Sequence, residues 1–378
     1  PLSLGRGVGG EVISINSTPN SLFLLTYYLF TLFAMKRKHF LSSAAGLLAA
    51  FSVSGRSVVE SITTLDEGEA LCTVPPFLKS GDIIGITSPA GYITAEQIQP
   101  AVKQLQDWGF RVKIGNAIGK RDFTFGGTDE ERLTDLQQLL DDDSVKAILC
   151  ARGGYGVVRI IDRLNLDKFG RKPKWILGFS DITMLLAHVN SRCRVAGIHS
   201  KMCNSFPEDP SLLEETQRLS IASIFDCLSG KKMNYETLPS ATNRTGKGEG
   251  ELVGGNLRLI ETITGTRSDI TTRNKILFLE DTEEYLYNID RMFWNLKRSG
   301  KLSQLKGLII GGFKTKPDDP GEEFGLSLEQ IVLEKVKEFS FPVCFGFPVG
   351  HQKHNMALRY GMKHRLVVNE KGAALECL

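Results

Sequence analysis

The stretch "WILGFSDITMLLAHVN", residues 175–190, changes its hydrophobic pattern at Ser180. The residues before the serine form a short apolar run, whereas the apolar residues after it recur at helical spacing. This pattern predicts a buried β-strand, a sharp turn at the serine and then a helix. Because ligands bind at the carboxyl ends of the strands in an open parallel sheet, the lone hydroxyl stands where a site is expected.

Working outward, the chain alternates between β-prone and helical segments. The runs "DIIGIT", "FRVKIG", "VKAILCA", "KWILGF" and "VAGIHS" predict strands, and helical patterns separate them. Among these, "TDEERLTDLQQLLDD" opens with a capping box formed by Thr128 and Glu131, and "VVRIIDRL" also fits a helix. Such alternation indicates βαβ units, so we predict an α/β fold whose N-terminal domain has a parallel sheet of the flavodoxin or Rossmann type.

The pattern breaks after residue 205, where "FPEDPSLLEE" and "LPSATNRTGKGEG" are rich in turn formers and charge. Beyond this break the strands "KILFLE" and "GLIIGGF" flank the helical stretch "YLYNIDRMFWNLKRSG". We therefore predict an N-terminal extension (1–75), an α/β domain carrying the nucleophile (76–205), a linker (206–249) and a β-rich α/β C-terminal domain (250–378).

Composition narrows the class of partner. The 378 residues are 42% hydrophobic and 24% charged, which is a globular composition with apolar material for two cores. The net charge is only +3, so the basic face that nucleic acid requires is not expected, and a small molecule or peptide is the expected partner. Seven cysteines without a Cys-x-x-Cys motif predict free, buried thiols, although Cys193 and Cys203 are close enough in sequence to pair in an oxidising compartment.

The amino-terminal region has the layout of a secretory signal peptide. From Met35 to about Ser54, "MKRKHFLSSAAGLLAAFSVS" places a basic cluster before a short apolar run. We expect export to the periplasm, with a cytoplasmic location or an uncleaved anchor as alternatives. The preceding "SLFLLTYYLFTLFA" is too short to span a bilayer comfortably, so no stable membrane span is expected in the mature form.

Two loops leave the predicted sheet at the same edge. "ARGGYG", residues 151–156, has glycines that allow its backbone N–H groups to face an anion, as in an oxyanion hole or a phosphate cradle. The dinucleotide-binding pattern fits poorly, because its third glycine and its acidic residue are both missing. "GFSD", residues 178–181, has the pattern of a nucleophile elbow presenting Ser180, with plain helix capping as the alternative.

A serine nucleophile needs a base, and the base needs an orienting carboxylate. Of six histidines, His351 in "FPVGHQKHN" is the best candidate base, because a turn after a strand can aim an imidazole into a cleft. Metal binding by His351 and His354 is the alternative, but it lacks a glutamate at metalloprotease spacing. Glu280 ends the strand "KILFLE" and is the chosen carboxylate, with an ordinary acidic cluster as the alternative.

Several stretches together resemble the LD-carboxypeptidase family, the serine peptidases of the S66 type, which also includes microcin C immunity hydrolases. They run in order from residue 81 to the C-terminal region: "GDIIGITSPAG", "ARGGYGVVRIIDRL", "WILGFSDIT", "GELVGGNLRLI", "ILFLEDTEEYLYNIDRMFWNL", "GLIIGGF" and "FPVGHQKHNMALRYG".

The resemblance implies a catalytic triad of Ser180, Glu280 and His351, with the backbone amides of Gly154 and Asp181 as the oxyanion hole. It also implies a homodimer and a reaction without metal or organic cofactor. The implied reaction removes the terminal D-alanine from a murein tetrapeptide during cell-wall peptide recycling.

Substrate recognition is the part of the resemblance that this sequence modifies. Relatives usually have His-Gly-Pro-Met where this chain has "HSKM" (199–202), and Gln352 replaces the glycine that usually follows the histidine. Arg152 is the expected partner of the substrate carboxylate, and Lys201 is a second one. The alternatives are hydrolysis of peptidyl- or aminoacyl-nucleotide antibiotics and a catalytically inactive murein-peptide-binding protein. The nucleotide alternative needs an exposed aromatic surface, whereas periodicity predicts that Trp175 and Trp294 are both core.

Overall fold

A computed structural model describes residues 72–378 of the chain. The predicted signal peptide lies outside these residues. Among the described residues, no helix combines the length and the apolar content that crossing a membrane requires.

The strands and helices follow the predicted alternation. Residues 72–378 contain thirteen strands: β1 (Ile83–Thr87), β2 (Arg111–Ile114), β3 (Val145–Cys150), β4 (Trp175–Gly178), β5 (Gly197–His199), β6 (Asn234–Glu236), β7 (Gly246–Asn256), β8 (Ile276–Glu284), β9 (Gly307–Thr315), β10 (Val343–Cys344), β11 (Leu358–Tyr360), β12 (Lys363–Asn369) and β13 (Gly372–Cys377). The same residues contain eight α-helices: α1 (Gln99–Asp107), α2 (Asp129–Asp141), α3 (Asp167–Arg171), α4 (Thr183–Cys193), α5 (Glu215–Leu228), α6 (Leu257–Ile263), α7 (Leu286–Arg298) and α8 (Leu328–Lys335).

The first sheet has the strand order β11-β5-β4-β3-β1-β2. The strands from β1 to β5 are parallel, and β11 adds antiparallel to β5, with Leu358 opposite His199. The central strands are almost wholly buried, as expected for a sheet covered on both faces. The capping box at Thr128 and Glu131 begins α2 as predicted.

The second sheet has the order β10-β9-β8-β7-β12-β13-β6. Strands β7 to β10 are parallel, whereas β12, β13 and β6 continue the sheet antiparallel from β7. The predicted mixed α/β class, with a parallel N-terminal sheet and a β-rich C-terminal part, is confirmed.

Two segments differ from their predicted local structure. The stretch "VVRIIDRL" forms two short 3₁₀ turns, Val157–Arg159 and Ile161–Arg163, instead of one helix. The intervening Ile160 has a φ of −118°, and the β-branched residues of this stretch are weak helix formers. The segment assigned to a linker, 206–249, contains α5 and β6.

The cysteines and one tryptophan also bear on the predictions. All seven cysteines are free, including Cys193 and Cys203. Trp175 is fully buried as predicted, but the core prediction for Trp294 is wrong, because its side chain is 41% exposed. Trp294 follows Phe293, which faces the core, so its ring lies at the margin of the apolar stripe of α7 beneath the ammonium of Lys335.

Candidate active site

Ser180 occupies a strained turn between β4 and α4. The strand ends at Gly178, Ser180 has a φ of +60°, and a single 3₁₀ turn leads into the helix. A positive φ in a residue other than glycine is uncommon and costs free energy, and strained backbone of this kind clusters at functional sites. The strand–turn–helix prediction for this stretch is confirmed.

The loop "ARGGYG" (residues 151–156), called the glycine loop below, passes directly beside this serine. A Cβ added at Gly153 would lie 2.9 Å from Ser180 Cβ and 3.1 Å from Ser180 Oγ, so glycine is required for the close approach. The next residue, Gly154, has a φ of +110°, and its N–H has no hydrogen-bond partner among residues 72–378. The loops after β3 and β4 therefore meet at one edge of the sheet, with a free backbone amide in the residue beyond Gly153.

Two buried charged side chains fix the far end of the glycine loop. Asp181 is 2% exposed, and its carboxylate accepts the N–H of Val157 at 2.8 Å. Burial raises the pKa of Asp181 to about 6. Arg132 of α2, with no exposed surface, donates to the carbonyls of Gly156 at 2.9 Å and Pro89 at 2.5 Å. Sequence reasoning missed the role of both side chains: Arg132 lies among the charged residues of "TDEERLTD", and Asp181 was considered only for its backbone amide.

Glu280 and His351 are in direct contact. Glu280 has no exposed surface, and its Oε2 lies 2.5 Å from His351 Nδ1 while also accepting the His351 backbone N–H at 3.2 Å. Gly350 has a φ of +101°, and a Cβ there would collide with Glu280 Cβ. Burial acts to lower the pKa of His351, but the hydrogen bond and the negative charge of Glu280 outweigh it, so the pKa lies above its ordinary value.

The elbow and this pair approach each other through Phe179. The ring centroid of Phe179, the residue before the serine, lies 4.9 Å from that of His351. Within the part of the chain that the structure describes, Ser180 Oγ and His351 are not hydrogen-bonded to each other. Catalytic hydrogen bonds are often long or open without substrate and tighten in the complex.

Both residues expected to bind the substrate carboxylate are partly buried. Arg152 Nη1 donates to the Tyr92 carbonyl at 2.9 Å, while its Nε is buried and has no hydrogen-bond partner among the residues that the structure describes. Burial lowers the pKa of Lys201, and its ammonium forms no hydrogen bond or ion pair with residues 72–378. The charge of Lys201 also acts on His354, which places it beside the turn that carries His351. No group of three or more His, Cys, Asp or Glu in the described residues has the arrangement of a metal site.

Comparisons with known proteins agree with this architecture. Models of the LD-carboxypeptidase N-terminal and C-terminal domains match residues 84–200 and 249–366. A protein of Bacillus subtilis (strain 168) named "probable murein peptide carboxypeptidase" is 34% identical over 304 residues, which cover 80% of this chain and 94% of that protein.

Two solved structures share the fold. A muramoyltetrapeptide carboxypeptidase from Oxalobacter formigenes is 27% identical with a TM-score of 0.69, over 78% of this chain and 98% of that chain. The microcin C7 self-immunity protein in complex with aspartyl sulfamoyl adenosine has a TM-score of 0.71 over 81% and 98% of the two chains. Its identity is 23%, so this second likeness concerns the fold alone.

Proposed function

The chain belongs to the LD-carboxypeptidase family, and on that premise we propose that it is a serine carboxypeptidase that removes the terminal D-alanine from murein tetrapeptide. The observation that supports this most directly is the contact of 2.5 Å between Glu280 Oε2 and His351 Nδ1, in a turn that packs against the residue preceding Ser180.

The proposed mechanism uses Ser180 from the turn after β4, Glu280 of β8 and His351 from the turn that follows β10. Glu280 accepts the Nδ1–H of His351, which leaves Nε2 free to take the proton of Ser180 as Oγ attacks the scissile carbonyl. The C–N bond then breaks, and His351 returns the proton to the leaving D-alanine. Water repeats the same steps on the acyl-enzyme, with His351 again as the base.

The oxyanion of each tetrahedral intermediate would accept hydrogen bonds from the amides of Gly154 and Asp181. The free N–H of Gly154, one residue beyond the contact between Gly153 and Ser180, supports this assignment. Each donor of this kind contributes about 3 kcal/mol of transition-state stabilisation. No step needs a metal or an organic cofactor.

A carboxypeptidase also has to recognise a free carboxylate. We assign this role to Arg152 and Lys201, because both are partly buried cations with donor capacity to spare near the candidate site. An ion pair with a partly buried guanidinium or ammonium is stronger than a solvated one, since less water screens it.

The proposed reaction is tested by incubating the purified protein with murein tri-, tetra- and pentapeptides and identifying the released amino acids by mass. We expect D-alanine from the tetrapeptide alone. A tetrapeptide ending in an amide is the matched control and should be a poor substrate, because it lacks the charge that Arg152 and Lys201 would bind. Equal cleavage of acid and amide would contradict the carboxypeptidase assignment.

Asp181→Asn is expected to lower kcat about tenfold, equivalent to about 1.4 kcal/mol. The physical reason is that charge-assisted hydrogen bonds are about twice as strong as neutral ones, so an amide holds the Val157 N–H and the glycine loop less firmly. The measurement is kcat for tetrapeptide cleavage at pH 8, where Asp181 is ionised because its pKa is about 6.

The same variant is expected to be more stable than the wild type at pH 8. The pKa of the Asp181 carboxyl is higher in the folded chain than in the unfolded chain, so protonation of this carboxyl stabilises the folded state. This stabilisation is lost as pH rises through about 6. An uncharged amide avoids that loss, so Tm should exceed the wild-type value at pH 8 and the difference should shrink at pH 4. If the Tm of Asp181→Asn instead fell further below the wild-type Tm as pH rises, the raised pKa of Asp181 would be contradicted.

Two further properties are part of the proposal. The family resemblance supports a homodimer, and the pattern from Met35 to about Ser54 supports export to the periplasm. Sedimentation of the purified protein and sequencing of its mature N-terminus test them separately.

A further inference from the structure

Two buried polar side chains behind the candidate site lack hydrogen-bond partners. His199 has no exposed surface, and neither of its ring nitrogens is hydrogen-bonded to any group in residues 72–378. Asn355 also has no exposed surface, and its Nδ2 has no hydrogen-bond partner in the described part of the chain. Each unsatisfied buried polar group destabilises the folded state by about 1–3 kcal/mol, so two of them beside one site indicate a functional role.

His199 lies in the layer directly behind the nucleophile elbow. It ends β5, where it pairs with Gly178 of β4, two residues before Ser180. Its ring packs against Phe179 at 5.8 Å and edge-on against Phe278 at 5.1 Å. Phe179 in turn contacts the imidazole of His351, so one aromatic ring separates the two histidines.

Asn355 holds the turn that carries His351. Its Oδ1 accepts the N–H of Gly350 at 2.9 Å, and its own N–H donates to Ser220 Oγ of α5 at 2.9 Å. The backbone of Gly350 also packs on Glu280. Asn355 and Glu280 therefore accept the N–H groups of two consecutive residues of this turn, Gly350 and His351.

The two unpartnered groups are chemically complementary. Burial lowers the pKa of His199 to about 3, the charge of His351 adds to that effect, and the side chain of Asn355 opposes it. His199 is therefore a neutral imidazole at physiological pH, with one nitrogen able to accept a hydrogen bond. Asn355 lies three residues before Leu358, which pairs directly with His199 across β11 and β5, and its Nδ2 is a hydrogen-bond donor. A neutral neighbour also avoids repelling the imidazolium that His351 becomes during catalysis.

We propose that His199 and Asn355 act as a positioning pair, in which Asn355 Nδ2 donates to His199 and thereby sets the His351 turn against the Ser180 elbow. The pair links the end of β5 in the first sheet to the turn that reaches Glu280 in the second. This inference rests on the proposed serine mechanism, since it concerns the alignment of the base with the nucleophile. A misplacement of about 1 Å at a catalytic group can cost about 100-fold in rate.

The test compares His199→Phe, His199→Gln and a matched control, His364→Phe. Phenylalanine fills the space but cannot accept a hydrogen bond, whereas glutamine offers a carbonyl oxygen to Asn355. His364 is also fully buried, and its Nε2 has no hydrogen-bond partner within residues 72–378, but it lies in β12 and its Nδ1 contacts the Met362 carbonyl. Each protein is treated with an activated phosphonate, and the maximal labelling rate, kinact, is measured separately from the inhibitor concentration for half-maximal rate, KI.

We expect His199→Phe to lower kinact about 10- to 100-fold with KI nearly unchanged, His199→Gln to recover most of the loss, and His364→Phe to lower Tm with kinact unchanged. The positioning role would be overturned if His199→Phe kept the wild-type kinact. It would also be overturned if His199→Phe and His364→Phe lost kinact to the same extent. If His199→Phe does not fold, Asn355→Asp replaces it: the Gly350 acceptor stays, the donor is lost, and kinact should fall, whereas a wild-type kinact would overturn the proposal. Wild-type protein that is not labelled at all would instead contradict the serine mechanism itself.

Discussion

Ser180→Ala is expected to lower kcat for tetrapeptide cleavage by about 10⁴- to 10⁶-fold, the loss seen when a serine hydrolase loses its nucleophile. The protein should still fold. Ser180 Oγ makes no hydrogen bond within residues 72–378, and alanine keeps both the small side chain beside Gly153 and the strained φ of +60°. The measurements are D-alanine release under single-turnover conditions and Tm.

Ser191→Ala is the matched control for this experiment. Ser191 lies in the same strand–turn–helix unit, in α4, and its hydroxyl donates to the Asp269 carbonyl at 2.8 Å, away from the glycine loop. It should retain wild-type kcat and lose a little stability. A phosphonate adduct should form on the wild type and on Ser191→Ala but not on Ser180→Ala. Near-wild-type turnover by Ser180→Ala would show that another group attacks the carbonyl.

The parts of this structure that sequence could predict are those set by local pattern. The turn at Ser180 follows from a change of hydrophobic period within 16 residues, and the limits of β1 and the start of α2 follow from an apolar run and a capping box. The parallel sheet follows from alternation of such units. Each of these features depends on neighbours in the chain, so a single sequence contains the information.

Features that depend on tertiary packing were not predictable in this way. Strand β11 has three residues, and only its pairing with β5 makes it a strand. Helix α5 does carry a local signal, since Glu214 and Gln217 form a capping box, but the prolines before it favoured a linker. Its Ser220 and Ser223 hydroxyls accept the N–H groups of Asn355 and Ala357, contacts between residues more than 130 positions apart.

The buried polar residues of the site show the same limit. Arg132, Asp181 and Asn355 fit a surface pattern as well as a buried one, because binary patterning treats every polar residue as exposed. Only the fold reveals that their polar atoms face the glycine loop or the His351 turn. Among the acidic residues of "LEDTEE", the structure also separates roles: Asp281 accepts from Asn256 Nδ2 and the Arg258 N–H at the start of α6, whereas Glu280 contacts His351.

That separation provides the control for the second large prediction, which concerns the tautomer of His351. With a carboxylate at Nδ1, the imidazole must place its proton on Nδ1 and leave Nε2 as the base. Glutamine at position 280 has the same shape but can donate through its amide, which stabilises the opposite tautomer and leaves Nε2 protonated. Asp281→Asn changes the adjacent buried carboxylate, whose pKa burial raises to about 7; this carboxylate has no hydrogen bond to the imidazole within residues 72–378, and its charge raises the pKa of His351 less than that of Glu280 does.

Glu280→Gln is therefore expected to lower kcat about 10³- to 10⁴-fold, whereas Asp281→Asn should stay within a few-fold of the wild type. Because Glu280 raises the pKa of His351, its loss should also move the acid limb of kcat/KM to lower pH. The ion pair between Glu280 and protonated His351 stabilises the folded chain fully below the pKa of an unfolded histidine, and this stabilisation is lost as pH rises through the higher pKa of folded His351. The Tm of Glu280→Gln should therefore lie further below the wild-type Tm at pH 6 than at pH 9. Equal kcat values for the two variants, with an unmoved acid limb, would show that the carboxylate in contact with His351 does not orient the base.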